Sequence, residues 1–163
     1  MDTLEAIRTR RSIRKYRTDP VPRELIETVI DAGRLAATGG NRQPWEFVVV
    51  TDPARRAELA AMGGHGKFIE QAPVCIAVFA GEGITPFEDC AAAAQNMLLA
   101  ARALGLGTCW VGNPRASFAE KARTFLGVPE RCKFFALIAL GYPDESPEKS
   151  KRTLTDVVHW EKF

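Results

Sequence analysis

The densest charge in the sequence lies between Arg8 and Arg17, where six of ten residues are arginine or lysine. Arginine presents a planar fork of donors that matches phosphate oxygens, and a serine hydroxyl adds a neutral donor. Arg10, Ser12 and Arg14 alternate along the chain, so in an extended segment they would project to one side. The segment therefore predicts an anion site, and the alternative is a solvated basic helix end.

A second polar group of residues lies in a loop between a predicted helix and a predicted strand. The run from Thr38 to Trp45 contains two glycines, a proline and the alternating amides Asn41 and Gln43. Both amides donate and accept hydrogen bonds, so they suit the edge of a heterocycle that carries carbonyls and ring N–H groups. The alternative is a plain connection, with the glycines for turning and Trp45 for the core.

The remaining polar candidates favour structural roles. Gln95 and Asn96 stand among apolar neighbours, which indicates a satisfied core hydrogen bond. His65 and His159 are expected at the surface or at an interface rather than in catalysis. The four cysteines are widely spaced and are expected to be buried free thiols, which leaves no metal site predicted; they are Cys75, Cys90, Cys109 and Cys132.

Hydrophobic periodicity and the Gly and Pro breaks indicate the elements that must position these residues. Helices are predicted over residues 2–10, 21–35, 53–62, 87–104 and 116–126. Strands are predicted over residues 45–50, 74–79, 108–111 and 133–140. This order is typical of a mixed-sheet α/β or α+β domain.

The end of the sequence carries apolar residues beyond a polar linker. The chain is polar from Asp144 onward and becomes apolar again at Leu154, Val157, Val158 and Trp160. Such residues must be buried somewhere, and we expect a second subunit to cover them.

Composition excludes several classes of protein. The chain has 163 residues, 46% of them hydrophobic, and a net charge of only +2. It is predicted to be one domain over residues 1–163, and its near-neutral charge disfavours nucleic acid as the main partner. No apolar run reaches the ~20 residues that span a bilayer, and the first residues do not form a signal peptide. A cytoplasmic protein is expected.

Four segments, taken together and in order, resemble the nitroreductase family. They are Arg10-Arg11-Ser12-Ile13-Arg14, then Asn41-Arg42-Gln43-Pro44-Trp45, then Gln95-Asn96-Met97-Leu98-Leu99-Ala100-Ala101 with Gly105-Leu106-Gly107-Thr108-Cys109-Trp110, and finally Leu140-Gly141-Tyr142-Pro143. The resemblance implies an α+β fold, a three-layer sandwich in which helices flank a mixed, mostly antiparallel sheet. It also implies a homodimer with FMN at the interface and a C-terminal tail that reaches the partner subunit.

The resemblance also assigns cofactor-binding residues. Arg10, Arg11 and Ser12 would bind the phosphate and ribityl end of FMN, and Arg14 would lie at the pyrimidine edge of the flavin. The other subunit would contribute a second group, namely Thr38, Asn41 and Gln43. The backbone of Val111 and Gly112 would face flavin N5 and O4, and basic tail residues would close the phosphate site, with Lys149, Lys151 and Arg152 as candidates.

The implied activity is transfer of hydride from NAD(P)H, through flavin N5, to an electron-poor acceptor such as a nitroaromatic, a quinone or an activated alkene. The flavin carries this chemistry, so no catalytic side chain is required. A nicotinamide fingerprint of the Gly-x-Gly-x-x-Gly type is absent from the sequence, which fits transient nicotinamide binding. The alternatives are a flavin carrier or sensor without turnover, a dehydrogenase or dehalogenase variant of the same scaffold, and a small nucleic-acid-binding module.

Overall fold

A four-stranded sheet forms the centre of the protein in its computed structural model, which describes residues 1–63 and 66–163. The strands lie in the order β1-β2-β4-β3, and each neighbouring pair is antiparallel. They are β1 (Trp45–Val50), β2 (Val74–Ala80), β3 (Gly107–Val111) and β4 (Lys133–Gly141). Every residue of β2 is buried, because this apolar strand has neighbours on both edges and helices on both faces.

Helices cover both faces of the sheet. Within the described residues they are α1 (Thr3–Thr9), α2 (Arg23–Arg34), α3 (Pro53–Met62), α4 (Phe68–Gln71), α5 (Pro86–Ala103) and α6 (Ala119–Phe125). Helices α2 and α5 contribute to the core on one face, and α3, α4 and α6 contribute to the core on the other. The predicted α+β three-layer sandwich is confirmed.

Helix α5 is the central helix of its layer and contacts all four strands as well as α1 and α2. Its alanines leave little side-chain bulk, so neighbouring backbones approach closely. Asn96 donates a 3.1 Å hydrogen bond from Nδ2 to the Ala32 carbonyl of α2. The predicted core hydrogen bond is therefore confirmed for Asn96, whereas Gln95 is exposed.

Most observed helices and strands end within two residues of their predicted bounds, and the two larger differences concern α4 and α6. Helix α4 was not predicted, because four residues are too few to show a periodic pattern. Helix α6 begins at Ala119 instead of residue 116, because the preceding residues form turns in which Ala116 N–H donates to the Asn113 carbonyl. The four cysteines are buried and free, as predicted. Burial raises the pKa of the Cys75 thiol to about 12.

The chain beyond β4 is mostly exposed. It contains a 3-10 turn at Leu154–Asp156, and its apolar side chains lie largely in solvent. Leu154 is 75% exposed, Trp160 is 83% exposed, and Phe163 is fully exposed. Among the helices of residues 1–63 and 66–163, none combines the length and the apolar character that crossing a membrane requires.

Candidate functional site

The basic segment, residues 10–17, lies along the edge strand β3. Ser12 forms an isolated parallel bridge with Thr108, and the Ile13 N–H donates to the Thr108 carbonyl at 2.9 Å. Gly107 permits this approach, since a Cβ atom there would lie 2.7 Å from Ile13 Cγ1. Backbone pairing and one glycine thus hold the basic segment in an extended conformation beside the sheet.

Cys109 is a buried residue of β3 that follows Thr108, the bridge partner of Ser12. Burial raises the pKa of the Cys109 thiol, whereas Arg14, a hydrogen bond with Ser12 and the charge of Arg10 each act to lower it. The convergence of the Arg10, Ser12 and Arg14 side chains, which their alternation in the sequence indicates, stays a prediction.

Arg11 lines a small cavity beside the basic segment. Its Nη1 donates to the Arg8 and Arg10 carbonyls, each at 2.8 Å. Its Nε is buried and has no hydrogen-bond partner among the described residues. The cavity has a volume of about 60 Å³ and is also lined by Arg10, Arg102, Ser146 and the carboxylate residue Glu145. A buried, unpartnered guanidinium N–H beside two further arginines is suited to an anionic group.

Glu145 is a half-buried residue of this region that the sequence did not reveal. Its Oε1 accepts the backbone N–H of Arg14 at 2.5 Å and that of Lys15 at 3.2 Å. The Asp144 N–H donates to the Lys15 carbonyl at 2.9 Å, so the start of the tail is attached to the basic segment. An acidic residue shortly after the Gly-Tyr-Pro end of the last strand is the only sequence signal for this contact.

The glycine loop, residues 38–43, has an unusual backbone. Gly40, Asn41 and Gln43 have φ values of 62°, 55° and 51°, in the left-handed region. This conformation costs roughly 1–2 kcal/mol for a residue with a Cβ atom. Thr38 stabilises the loop by accepting the Gln43 N–H at its Oγ1, at 3.3 Å. Asn41 and Gln43 are exposed, and strain of this kind is concentrated at functional sites.

The glycine loop and the basic segment are not joined within one chain. No hydrogen bond or salt bridge between described residues links residues 38–43 to residues 10–17.

Val111 and Gly112 lie at the end of β3, where the strand leaves the sheet. Both are half-exposed, and the Gly112 carbonyl accepts the Trp110 Nε1–H at 3.1 Å. They border a cavity of about 320 Å³ that Phe118 and Ser117 also line. The backbone at this position is thus accessible from a space of small-molecule size.

The basic tail residues and the histidines lie outside these clusters. Lys149, Lys151 and Arg152 are exposed, and Arg152 donates to the Asp156 carbonyl. His159 is exposed and its ring lies 4.1 Å from that of Phe163, whereas His65 falls outside the described residues. Residues 1–63 and 66–163 contain no group of three or more His, Cys, Asp or Glu side chains that could hold a metal ion.

Comparison with known proteins identifies the family. The model of the nitroreductase family matches residues 7–63 and 60–142. A curated relative from Methanothermobacter thermautotrophicus, provisionally named NADH dehydrogenase/NAD(P)H nitroreductase, is 38% identical over 100% of this chain and 88% of its own length.

Two solved structures share the fold. One, from Desulfovibrio desulfuricans and in complex with FMN, has a TM-score of 0.87 and 36% identity, and the match covers 100% of this chain and 98% of that one. The NADPH:FMN oxidoreductase from Vibrio harveyi, complexed with NAD+, has a TM-score of 0.89 and 31% identity over 99% of this chain and 77% of that one. The resemblance seen in the sequence motifs is confirmed, and the chain belongs to the nitroreductase family.

Proposed function

We propose that this protein is an NAD(P)H-dependent, FMN-containing oxidoreductase of the nitroreductase type, active as a cytoplasmic homodimer whose residues 1–163 form one FMN-binding domain. Family membership supports the oxidoreductase class. Relatives named as an NADPH-flavin oxidoreductase and an FMN reductase, and the solved complex with FMN, support the cofactor. The observation that carries the proposal is the cationic cluster beside β3, formed by Arg10, Arg11 and Arg102, in which the buried Nε of Arg11 has no partner among the described residues.

The residues present fit FMN at both of its ends. The unpartnered Nε of Arg11 and the neighbouring arginines are complementary to a phosphate dianion. The exposed amides of Asn41 and Gln43 are complementary to the polar edge of the isoalloxazine ring, which carries carbonyls and an N–H group. A basic site for the phosphate and an amide-bearing site for the ring are the two recognition elements that FMN requires.

Each group of residues has a distinct role in this proposal. The phosphate and ribityl end would be held by Arg10, Arg11 and Ser12, and closed by the tail residues Lys149, Lys151 and Arg152. Arg14 would lie at the pyrimidine edge, where its positive charge stabilises the anionic reduced ring. The partner subunit would supply the residues at the opposite edge, namely Thr38, Asn41 and Gln43. The backbone N–H groups at Val111 and Gly112 would orient the ring at N5 and O4.

FMN, when bound, supplies hydride acceptance from NAD(P)H at N5 and hydride donation to an electron-poor acceptor such as a nitroaromatic, a quinone or an activated alkene. The cavity of about 320 Å³ beside Val111 and Gly112 supports this acceptor class, because it is open, of small-molecule size and partly lined by the aromatic ring of Phe118.

The homodimer is supported by apolar surface that a single chain leaves uncovered. Leu4 is 60% and Ile7 is 52% exposed on α1, which packs against α5. Trp160 and Phe163 add the exposed apolar tail. A second copy of the chain would bury both surfaces and would bring a glycine loop to each cationic cluster.

An anaerobic titration tests the proposed function. The purified protein should be yellow, or should take up added FMN, and NADH or NADPH should bleach its absorbance without oxygen. A menadione or nitrofurazone addition should then restore the oxidised spectrum. A protein that takes up no FMN would contradict the proposal, and a protein that holds FMN but is not reduced by either nicotinamide would be a flavin carrier.

A further inference from the structure

Asp89 is a buried carboxylate in the first turn of α5, and only 6% of it is exposed. Its Oδ1 accepts the Gly39 N–H of the glycine loop at 3.2 Å and the Thr85 hydroxyl at 3.3 Å. Its Oδ2 is buried and has no partner among the described residues. A buried carboxylate with one unpartnered oxygen is costly, so other interactions must stabilise it.

Two features stabilise the charge of Asp89 at this position. The first turn of a helix favours a negative charge, because its backbone N–H groups are unpaired and the helix dipole is positive there. The bond from the Gly39 N–H then adds a charge-assisted contact to the helix-end stabilisation. The carboxylate thus connects the start of α5 directly to the backbone of the glycine loop.

The opposite end of the loop is held by a second, backbone contact. The Gly81 N–H, just beyond β2, donates to the Pro44 carbonyl at 2.6 Å. The left-handed residues of the loop lie between this contact and the Asp89 contact. Unfavourable backbone conformations persist only where the surroundings over-determine them, and Asp89 is the charged side chain among these constraints.

We propose that Asp89 is a positioning residue for the flavin: its carboxylate fixes the Gly39 end of the glycine loop and so presents Asn41 and Gln43 in the geometry that meets the ring. This role rests on the proposed function, since it requires the loop to contact FMN. Among the described residues, the Asp89 carboxylate forms no hydrogen bond or salt bridge with the basic segment, so its removal should affect the ring end of the cofactor alone.

Three variants and three readouts of the holoenzyme test this role. Asp89→Ala removes the acceptor, Asp89→Asn keeps an acceptor oxygen without the charge, and Glu88→Gln removes an exposed charge from the same helical turn as a matched control. We expect FMN to dissociate about tenfold more readily from Asp89→Ala, with a smaller effect for Asp89→Asn and none for Glu88→Gln. The visible circular dichroism of bound flavin should change, and the ³¹P chemical shift of its phosphate should not.

Amide hydrogen exchange in the protein without flavin measures the Asp89–Gly39 contact independently of FMN binding. The Gly39 amide should exchange faster in Asp89→Ala, while the Gly81 amide should be unchanged. If both Asp89 variants bind FMN with wild-type affinity and wild-type visible circular dichroism, the positioning role is overturned and the proposed function stands. If the wild type binds no FMN, the proposed function and the positioning role fail together, and the exchange data still report on the Asp89–Gly39 contact. A shifted ³¹P resonance in Asp89→Ala would indicate a general structural effect instead and would also overturn the role.

Discussion

The basic segment and the glycine loop contribute to the same proposed site but are held by different physical means. The basic segment is fixed by backbone pairing to β3 and by close packing of Ile13 on Gly107. The glycine loop has left-handed residues, exposed amides and a side-chain bond to Asp89. The charged half of the proposed site is therefore held by the sheet, whereas the amide half depends on a few local contacts and should be more easily altered.

The largest expected effect comes from removing side chains of the basic segment. Arg10→Ala combined with Ser12→Ala should weaken FMN binding by roughly 2–5 kcal/mol, because charge-assisted phosphate contacts are lost. Fluorescence titration of FMN measures this, with Arg8→Ala as the control that removes a nearby exposed charge. Unchanged affinity in the double variant would place the phosphate elsewhere.

A smaller loss of FMN affinity should follow when the packing of the basic segment against β3 is disturbed while its cationic side chains are kept. Gly107→Ala places a Cβ atom 2.7 Å from Ile13 Cγ1, and overpacking of this kind costs about 1–3 kcal/mol of stability. Thermal unfolding measures the loss, and FMN affinity should fall with it. Gly83→Ala is the control, because a Cβ atom there meets only ordinary contacts at 3.5 Å or more. Equal melting temperatures for the two variants would show that Ile13 of the basic segment does not pack against Gly107 of β3.

The smallest effect should come from the backbone of the glycine loop. Gly40→Ala adds a side chain at φ +62° in nearly open space, so it should cost about 1 kcal/mol of stability from strain alone. Gly127→Ala, at φ +70° with nothing within 4 Å, should cost the same amount. Only Gly40→Ala should alter the visible spectrum of bound flavin. Identical spectra for both variants would mean that the loop does not meet the cofactor.

The sequence predicted the regular elements well where they are long and periodic. Strand β1 and helix α3 have the predicted bounds, because strongly patterned segments carry their own signal. The side-chain direction of Arg10, Ser12 and Arg14 stays a prediction from their alternation in the sequence.

Contacts between distant parts of the chain could not be predicted in this way. Glu145 binds a backbone 131 residues away, and Asp89 binds one 50 residues away. The local sequence around Glu145 or Asp89 does not distinguish either residue from a surface acid. The contacts of both residues form only when the fold brings distant segments of the chain together. The left-handed conformation of Gln43 was equally hidden, since glutamine carries no preference for it.

The exposed tail has a thermodynamic consequence if it docks on a partner as proposed. The same stretch carries the apolar side chains and the three cations proposed to bind the phosphate, Lys149, Lys151 and Arg152. Association of two chains would then bring positive charge to the phosphate of FMN. The dimerisation equilibrium and the FMN-binding equilibrium are therefore linked. Cofactor retention should depend on protein concentration, and dilution that separates the subunits should release the flavin even though every residue of the basic segment remains in place.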